Sequence, residues 1–187
     1  MHTPPQRMIP DLDTLVGLFY DAPEQLGQFT EVAADELPNG YRGLLAHDEH
    51  MTVAVEAYHA GPVDVRVLDR VTTGSHYARK ILLARQSDGR VVQFGIMQID
   101  VAYLDAAVRD EIRHEATPLG RILIRNDVLR RVRLSALWRV TPGEDLRRYF
   151  ALIEADEGAV TFGRTALIEC NGEPAVQLLE IVAPLIE

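Results

Sequence analysis

TFGRTALIEC (Thr161–Cys170), NG (Asn171-Gly172) and EPAVQLLEIV (Glu173–Val182) read together as two strands joined by a two-residue turn. Asn-Gly supplies the positive φ values that such a hairpin turn requires. Side chains alternate between faces along a strand, so Pro174, Val176, Leu178 and Glu180 share one side. A carboxylate in line with Val176 and Leu178 is either paired or put to use. Arg79 has the same setting, because Tyr77, Ile81 and Leu83 share its face. Two readings fit this cation and anion: an ion pair across the sheet, or a site for a small polar ligand.

Outward from the hairpin, further strands follow the same alternation. His76–Arg85 and Val91–Ile99 flank Ser87-Asp88-Gly89 as a second hairpin. In Val63–Val71, Val63, Val65 and Val67 alternate with Asp64 and Arg66. Met51–His59 is read as a strand preceding it across Ala60-Gly61-Pro62. Val128–Val140 is read as a long strand with Val128, Val132, Leu134, Ala136, Trp138 and Val140 on one face. Arg131, Arg133 and Arg139 take the other. One helix is expected from Asp100, as N-cap, through Val101, Leu104, Val108 and Ile112. A short helix is expected over Glu144–Glu154, and Leu119–Arg125 is open between a helical turn and irregular structure. Residues 1–43 are the least regular part, with a weak helix pattern at Leu12–Tyr20, and Tyr41–Ala46 fits one or two helical turns. Short turns between successive strands argue for an antiparallel sheet, and strands outnumber helices, so the expected class is α+β.

The 187 residues suit one domain spanning the chain, large enough to bury roughly two thirds of its unfolded surface. The composition, 47% hydrophobic and 25% charged, is that of an ordinary globular protein. A net charge of −9 argues against non-specific binding to nucleic acid or anionic membrane. Of 19 basic residues all but Lys80 are arginine, the side chain suited to bidentate carboxylate binding. No apolar run approaches membrane-spanning length and Met1–Pro10 lacks a signal-peptide core, so a cytoplasmic location is expected. Cys170 is the single cysteine, which excludes an intrachain disulfide and a CxxC motif. No nucleophile elbow GxSxG, phosphate-binding GxxxxGK[ST] loop or GxGxxG is present. His47 and His50 bracket Asp48-Glu49 at a spacing that could share a metal, but no third ligand stands nearby. No metal is expected. No heptad repeat marks an oligomer interface.

Four stretches are similar to segments of the chorismate lyases. They are Asp48-Glu49-His50-Met51-Thr52; Tyr77-Ala78-Arg79-Lys80-Ile81-Leu82-Leu83; Thr117-Pro118-Leu119-Gly120-Arg121; and Gly163-Arg164-Thr165 with Asn171-Gly172-Glu173-Pro174 and Leu179-Glu180. Order and spacing agree from about residue 44 to residue 184. The resemblance implies a single antiparallel sheet of about six strands with flanking helices, a buried ligand site under flaps, and a cofactor-independent carbon–oxygen lyase that takes pyruvate from chorismate to leave 4-hydroxybenzoate. It gives Arg79 the ring carboxylate, Glu180 the ring hydroxyl, and the backbone of Leu119 a share of the same carboxylate. Met51 and Thr52 would lie at the pocket wall or a flap. Two readings stay open for Gly120, close backbone approach to a ligand or a simple turn, and two for Arg164 and Arg139, holding a second carboxylate or standing as solvated strand residues. Arg79 and Glu180 are the two residues the strand alternation singles out independently.

The chemistry suits so sparse a set. Elimination makes the ring aromatic, so orientation, charge complementarity and one proton suffice. The expected partner is therefore a small carboxylated ring compound. Two alternatives stand beside the lyase: an enzyme of the same fold acting on another carboxylated ring or polyketide-like compound, and a protein that binds an aromatic acid without turnover. The fold also serves as the ligand-binding domain of transcription regulators, usually behind a DNA-binding helix-turn-helix, for which this chain is expected to have no room.

Overall fold

The computed structural model describes residues 10–153 and 158–185. Seven strands form one antiparallel sheet: β1 (Gly27–Val32), β2 (Val63–Thr73), β3 (His76–Arg85), β4 (Val91–Asp100), β5 (Arg130–Pro142), β6 (Thr161–Cys170) and β7 (Glu173–Val182). Their spatial order is β1-β5-β6-β7-β4-β3-β2. The fold is α+β, with helices against both faces of the sheet.

The β6–β7 hairpin turns as its sequence dictates, with Asn171 at φ 53° and Gly172 at φ 88°. Its strands are buried on both faces, as is β4, which is why these three segments carry apolar residues at nearly every position. On one face α1 (Leu12–Gly17) and α6 (Glu144–Tyr149) cover Phe94, Ile96, Val140, Leu179 and Ile181. On the other face lie α2 (Asn39–Leu45), α3 (Met51–Tyr58), α4 (Ala106–His114) and α5 (Leu119–Arg125), over Ile81, Met97, Ile99, Val176 and Leu178.

Five expectations are corrected. Met51–Tyr58 is a helix rather than a strand. Met51, Thr52 and Val55 are its buried positions, a helical spacing that packs against α2, α5 and β2. The valines at 53 and 55 suggested a strand, but β2 occupies the sheet edge and tertiary packing decides the matter. A strand at Gly27–Val32 adds a seventh to the expected six, pairing with β5 from Gly27 opposite Pro142 to Val32 opposite Leu137. The helix expected after Asp100 divides into a 3-10 turn at Val101–Tyr103 and α4, because Leu104 is extended.

The fourth correction concerns β5. A register shift between Leu134 and Ala136 inserts Ser135 as an extra residue. Side chains beyond it change faces, so Val132 and Leu137 join the core under α3 and α5 while Val140 joins the opposite one. The shared face read from Val128 to Val140 therefore does not exist. The helix expected over Glu144–Glu154 ends at Tyr149, and residue 154 lies outside the described residues.

Candidate functional site

Antiparallel register lines side chains up across the sheet. Arg79, Met97, Leu178 and Ala166 form one row, and Ile81, Gly95, Glu180 and Arg164 form the next. Above them lie His50 and the first residues of α3, with Pro118, Leu119 and Gly120 at the start of α5. The space between is a largely enclosed cavity of about 30 Å³, room for one or two waters by order of magnitude. Met51, Thr52, Leu119, Gly120, Arg164 and Glu180 all line it. Arg139 does not: it is exposed, and Phe162 and Thr30 are its strand neighbours.

Arg79 and Glu180 are not partners. Glu180 accepts a 2.8 Å hydrogen bond from Nε of Arg164, its neighbour across β6 and β7. The rest of that guanidinium is spent on the segment leading into α3. Nη1 donates to the carbonyl of His47 at 2.9 Å and of Leu45 at 3.4 Å, and Nη2 donates to Glu49 at 2.9 Å. Arg164 is fully buried and therefore ties three loop carbonyls and one carboxylate to the sheet. A buried ion pair in which each guanidinium nitrogen is hydrogen-bonded is the arrangement that offsets its own desolvation.

Arg79 is different. It has no exposed surface, its Nε donates to Met97 Sδ at 3.3 Å, and neither Nη1 nor Nη2 has a hydrogen-bond partner. Burial pushes its pKa below the ordinary arginine value, opposed by the nearby Tyr77 hydroxyl and Glu115 carboxylate. Those two groups are committed to each other. The Tyr77 hydroxyl donates to Glu115 Oε1 at 2.6 Å, and Arg70 Nη1 donates to Oε2 at 2.7 Å. Burial and the Glu115 bond push Tyr77 up to about 12, so it stays a phenol. Arg79 lies beside the cavity, between Tyr77 and Ile81 on β3, and its guanidinium is not part of the cavity wall. An anion reaches it only if Met97 or the cover above moves.

Reading the sequence as a list of motifs missed three further groups. His50 precedes α3, is 9% exposed, and its Nε2 has no partner. Burial, with the charges of Arg130 and Arg164, pushes its pKa down to about 4. The Gln93 Oε1 is also buried without a partner and faces the cavity. Gly95 supplies bare backbone in the second row, where a Cβ would come within 3.3 Å of Ile81 Cγ1. The i,i+3 spacing of His47 and His50 drew notice only as a metal motif. His47 instead accepts from the Glu49 backbone N–H and lies against Arg164. Among the described residues no group of three or more His, Cys, Asp and Glu is placed to hold a metal ion. Cys170 is buried and its thiol is pushed up to about 11, which suits core packing. No described helix is long and apolar enough to cross a membrane.

No family model matches the sequence, and no curated protein matches it. In three dimensions the chain is similar to PhnF from Mycobacterium smegmatis, with a TM-score of 0.51 and 13% identity over 72% of this chain. It spans 63% of the length of PhnF. It is similar also to a GntR-family transcriptional regulator from Bacillus cereus, with a TM-score of 0.43, 10% identity and coverage of 67% of this chain and 94% of that one. A possible transcriptional regulator, YydK from Bacillus subtilis, gives 0.46 and 15% identity over 93% of this chain and 84% of its own. The PhnF likeness shows the fold. None of these neighbours is described as a chorismate lyase, and no family model or curated protein supports one, so the assignment to the chorismate lyases is overturned. With it go the carbon–oxygen lyase activity and the release of pyruvate from chorismate. What the resemblance had located is the fold.

Proposed function

We propose that the chain is a ligand-binding domain that takes up a small organic carboxylate through Arg79 and responds by a change in the cover over the sheet, without converting the ligand. One observation carries this reading. A fully buried guanidinium with two unpartnered nitrogens is costly, at several kcal/mol by order of magnitude, unless an anion completes it. The fork geometry of Arg suits a carboxylate bound through two parallel hydrogen bonds.

The surroundings support binding over turnover. Glu180 is held by Arg164, so the carboxylate that would have moved a proton is already engaged. The small enclosed cavity means that a ring-sized ligand must displace Met97 or lift α3 and α5, and such a coupled movement is what a sensor requires. The regulator descriptions of the structural neighbours agree with this role. The net charge of −9 over the whole chain bears against non-specific binding to nucleic acid.

Isothermal titration of the purified chain with 4-hydroxybenzoate and benzoate tests the reading, with chromatography of the recovered ligand. One ligand should bind per chain and return unaltered. Arg79→Met should weaken binding by about 10- to 100-fold, the worth of a charge-assisted pair of hydrogen bonds. Binding that Arg79→Met leaves unchanged, or a chemically altered ligand, would overturn it.

A further inference from the structure

The cavity runs crosswise to the strands. Its walls come from Ile81 on β3, Gly95 on β4, Leu178 on β7, Ile168 on β6 and Val132 on β5. Beyond β5 lies a second, open cleft of about 680 Å³. His50 and Val132 line both spaces, so these two side chains form the partition between them.

Two independent features mark the outer cleft. Val53, Ile124 and Leu129 converge on it and are 42%, 38% and 73% exposed. Apolar side chains gathered in one cleft and rimmed by charge characterise a binding surface. The second feature is His50, nine-tenths buried, whose Nε2 has no partner. Its ring is packed rather than hydrogen-bonded: it lies on the backbone of α5, where a Cβ on residue 120 would come within 3.0 Å of the His50 Cβ.

We propose that the two spaces are one site for an elongated amphiphilic carboxylate. Its head lies at Arg79, its apolar body crosses the sheet beneath α3 and α5, and its far end rests on Val53, Ile124 and Leu129 once Met97 and the cover have shifted and His50 has turned aside. The proposal rests on the carboxylate reading above and narrows its ligand class. From β3 to β5 the path crosses four inter-strand spacings, about 19 Å at about 4.8 Å each. A single ring does not span that distance, whereas a hydrocarbon chain does. The walls suit such a chain. Ile81, Leu178, Ile168 and Val132 are apolar, and the Arg164–Glu180 pair has satisfied its own charge. The outer cleft mixes Asp48, Glu49 and Asp127 with Arg130 and Arg131, so it offers no single-sign anchor for the charged end. Among the described residues Arg79 is the buried cation whose two terminal nitrogens lack hydrogen-bond partners, which orients the ligand.

Titration of the full chain with butanoate, octanoate and hexadecanoate, each below its micellar concentration, tests this, with hexadecanol and 4-hydroxybenzoate as controls. Affinity should rise at least tenfold from butanoate to hexadecanoate, and hexadecanol should bind far more weakly than hexadecanoate. Leu129→Ser, a change at an exposed position, should weaken hexadecanoate at least threefold and leave 4-hydroxybenzoate unchanged, while Arg79→Met should weaken both. Hexadecanoate binding no tighter than butanoate, or indifferent to Leu129→Ser, overturns the elongated site. If 4-hydroxybenzoate still binds through Arg79 in that case, the carboxylate reading stands alone. Carboxylates that bind irrespective of Arg79 would remove both.

Discussion

Replacing Arg79 with Met should make the unliganded chain more stable, by about 1–3 kcal/mol, because it removes a buried charge whose two terminal nitrogens lack partners. Urea unfolding without ligand measures this, and a loss of stability would mean that Tyr77 and Glu115 compensate the charge fully. A site that stores such a penalty trades stability for binding. His50 gives the second prediction at this scale. Its imidazole takes a proton near pH 6.5 when unfolded but only near pH 4 in the folded chain. Between those values the unfolded chain holds the extra proton, so stability contributed by neutral His50 is complete above pH 6.5 and lost as pH falls toward 4. The loss amounts to at most about 3 kcal/mol. Unfolding free energies at pH 7 and pH 5 should therefore differ less in His50→Gln than in the parent chain. Arg79 and Glu180 were legible as residues out of keeping with their strands. That Glu180 belongs to Arg164 was not, because the pairing depends on which strands become neighbours.

Among the elements, the segment from Leu45 to Glu49 is fastened by Arg164, and Glu180 holds that arginine in place. Glu180→Gln leaves Arg164 buried without a counter-charge and should cost about 3 kcal/mol. Limited proteolysis should then cut near residues 45–50 sooner than in the parent chain, while 4-hydroxybenzoate still binds through Arg79. A variant with unchanged stability and unchanged protease sensitivity would remove Arg164–Glu180 as the fastening. Alternation of Val63, Val65 and Val67 identified β2, hairpins around turn residues identified β3, β4, β6 and β7, and Asn-Gly marked the turn between the last two. Alternation failed at α3, where Val53 and Val55 favour a strand but the buried positions follow a helix. It also failed at β5, because the extra residue Ser135 reverses the faces. A bulge is set by pairing with β6, and no feature local to residues 130–142 announces it.

For the whole molecule, a ligand that needs the cover to move should change protection in α3 and α5 together. Hydrogen exchange with and without saturating 4-hydroxybenzoate should show altered amides in Met51–Tyr58 and Leu119–Arg125, with β6 and β7 unchanged. Uniform slowing across the chain would instead report global stabilisation by mass action and no local response of the cover. The sequence by itself determined the α+β class, the antiparallel hairpins and the positions of the out-of-place charges. All three follow from side-chain alternation and turn chemistry, which act over a few residues. Tertiary structure decided the strand order β1-β5-β6-β7-β4-β3-β2, the two-sided core, the Arg164–Glu180 pairing and the isolation of Arg79. Those depend on contacts between residues as far apart as Leu45 and Arg164, and no local pattern along the chain encodes which of several buried charges will meet.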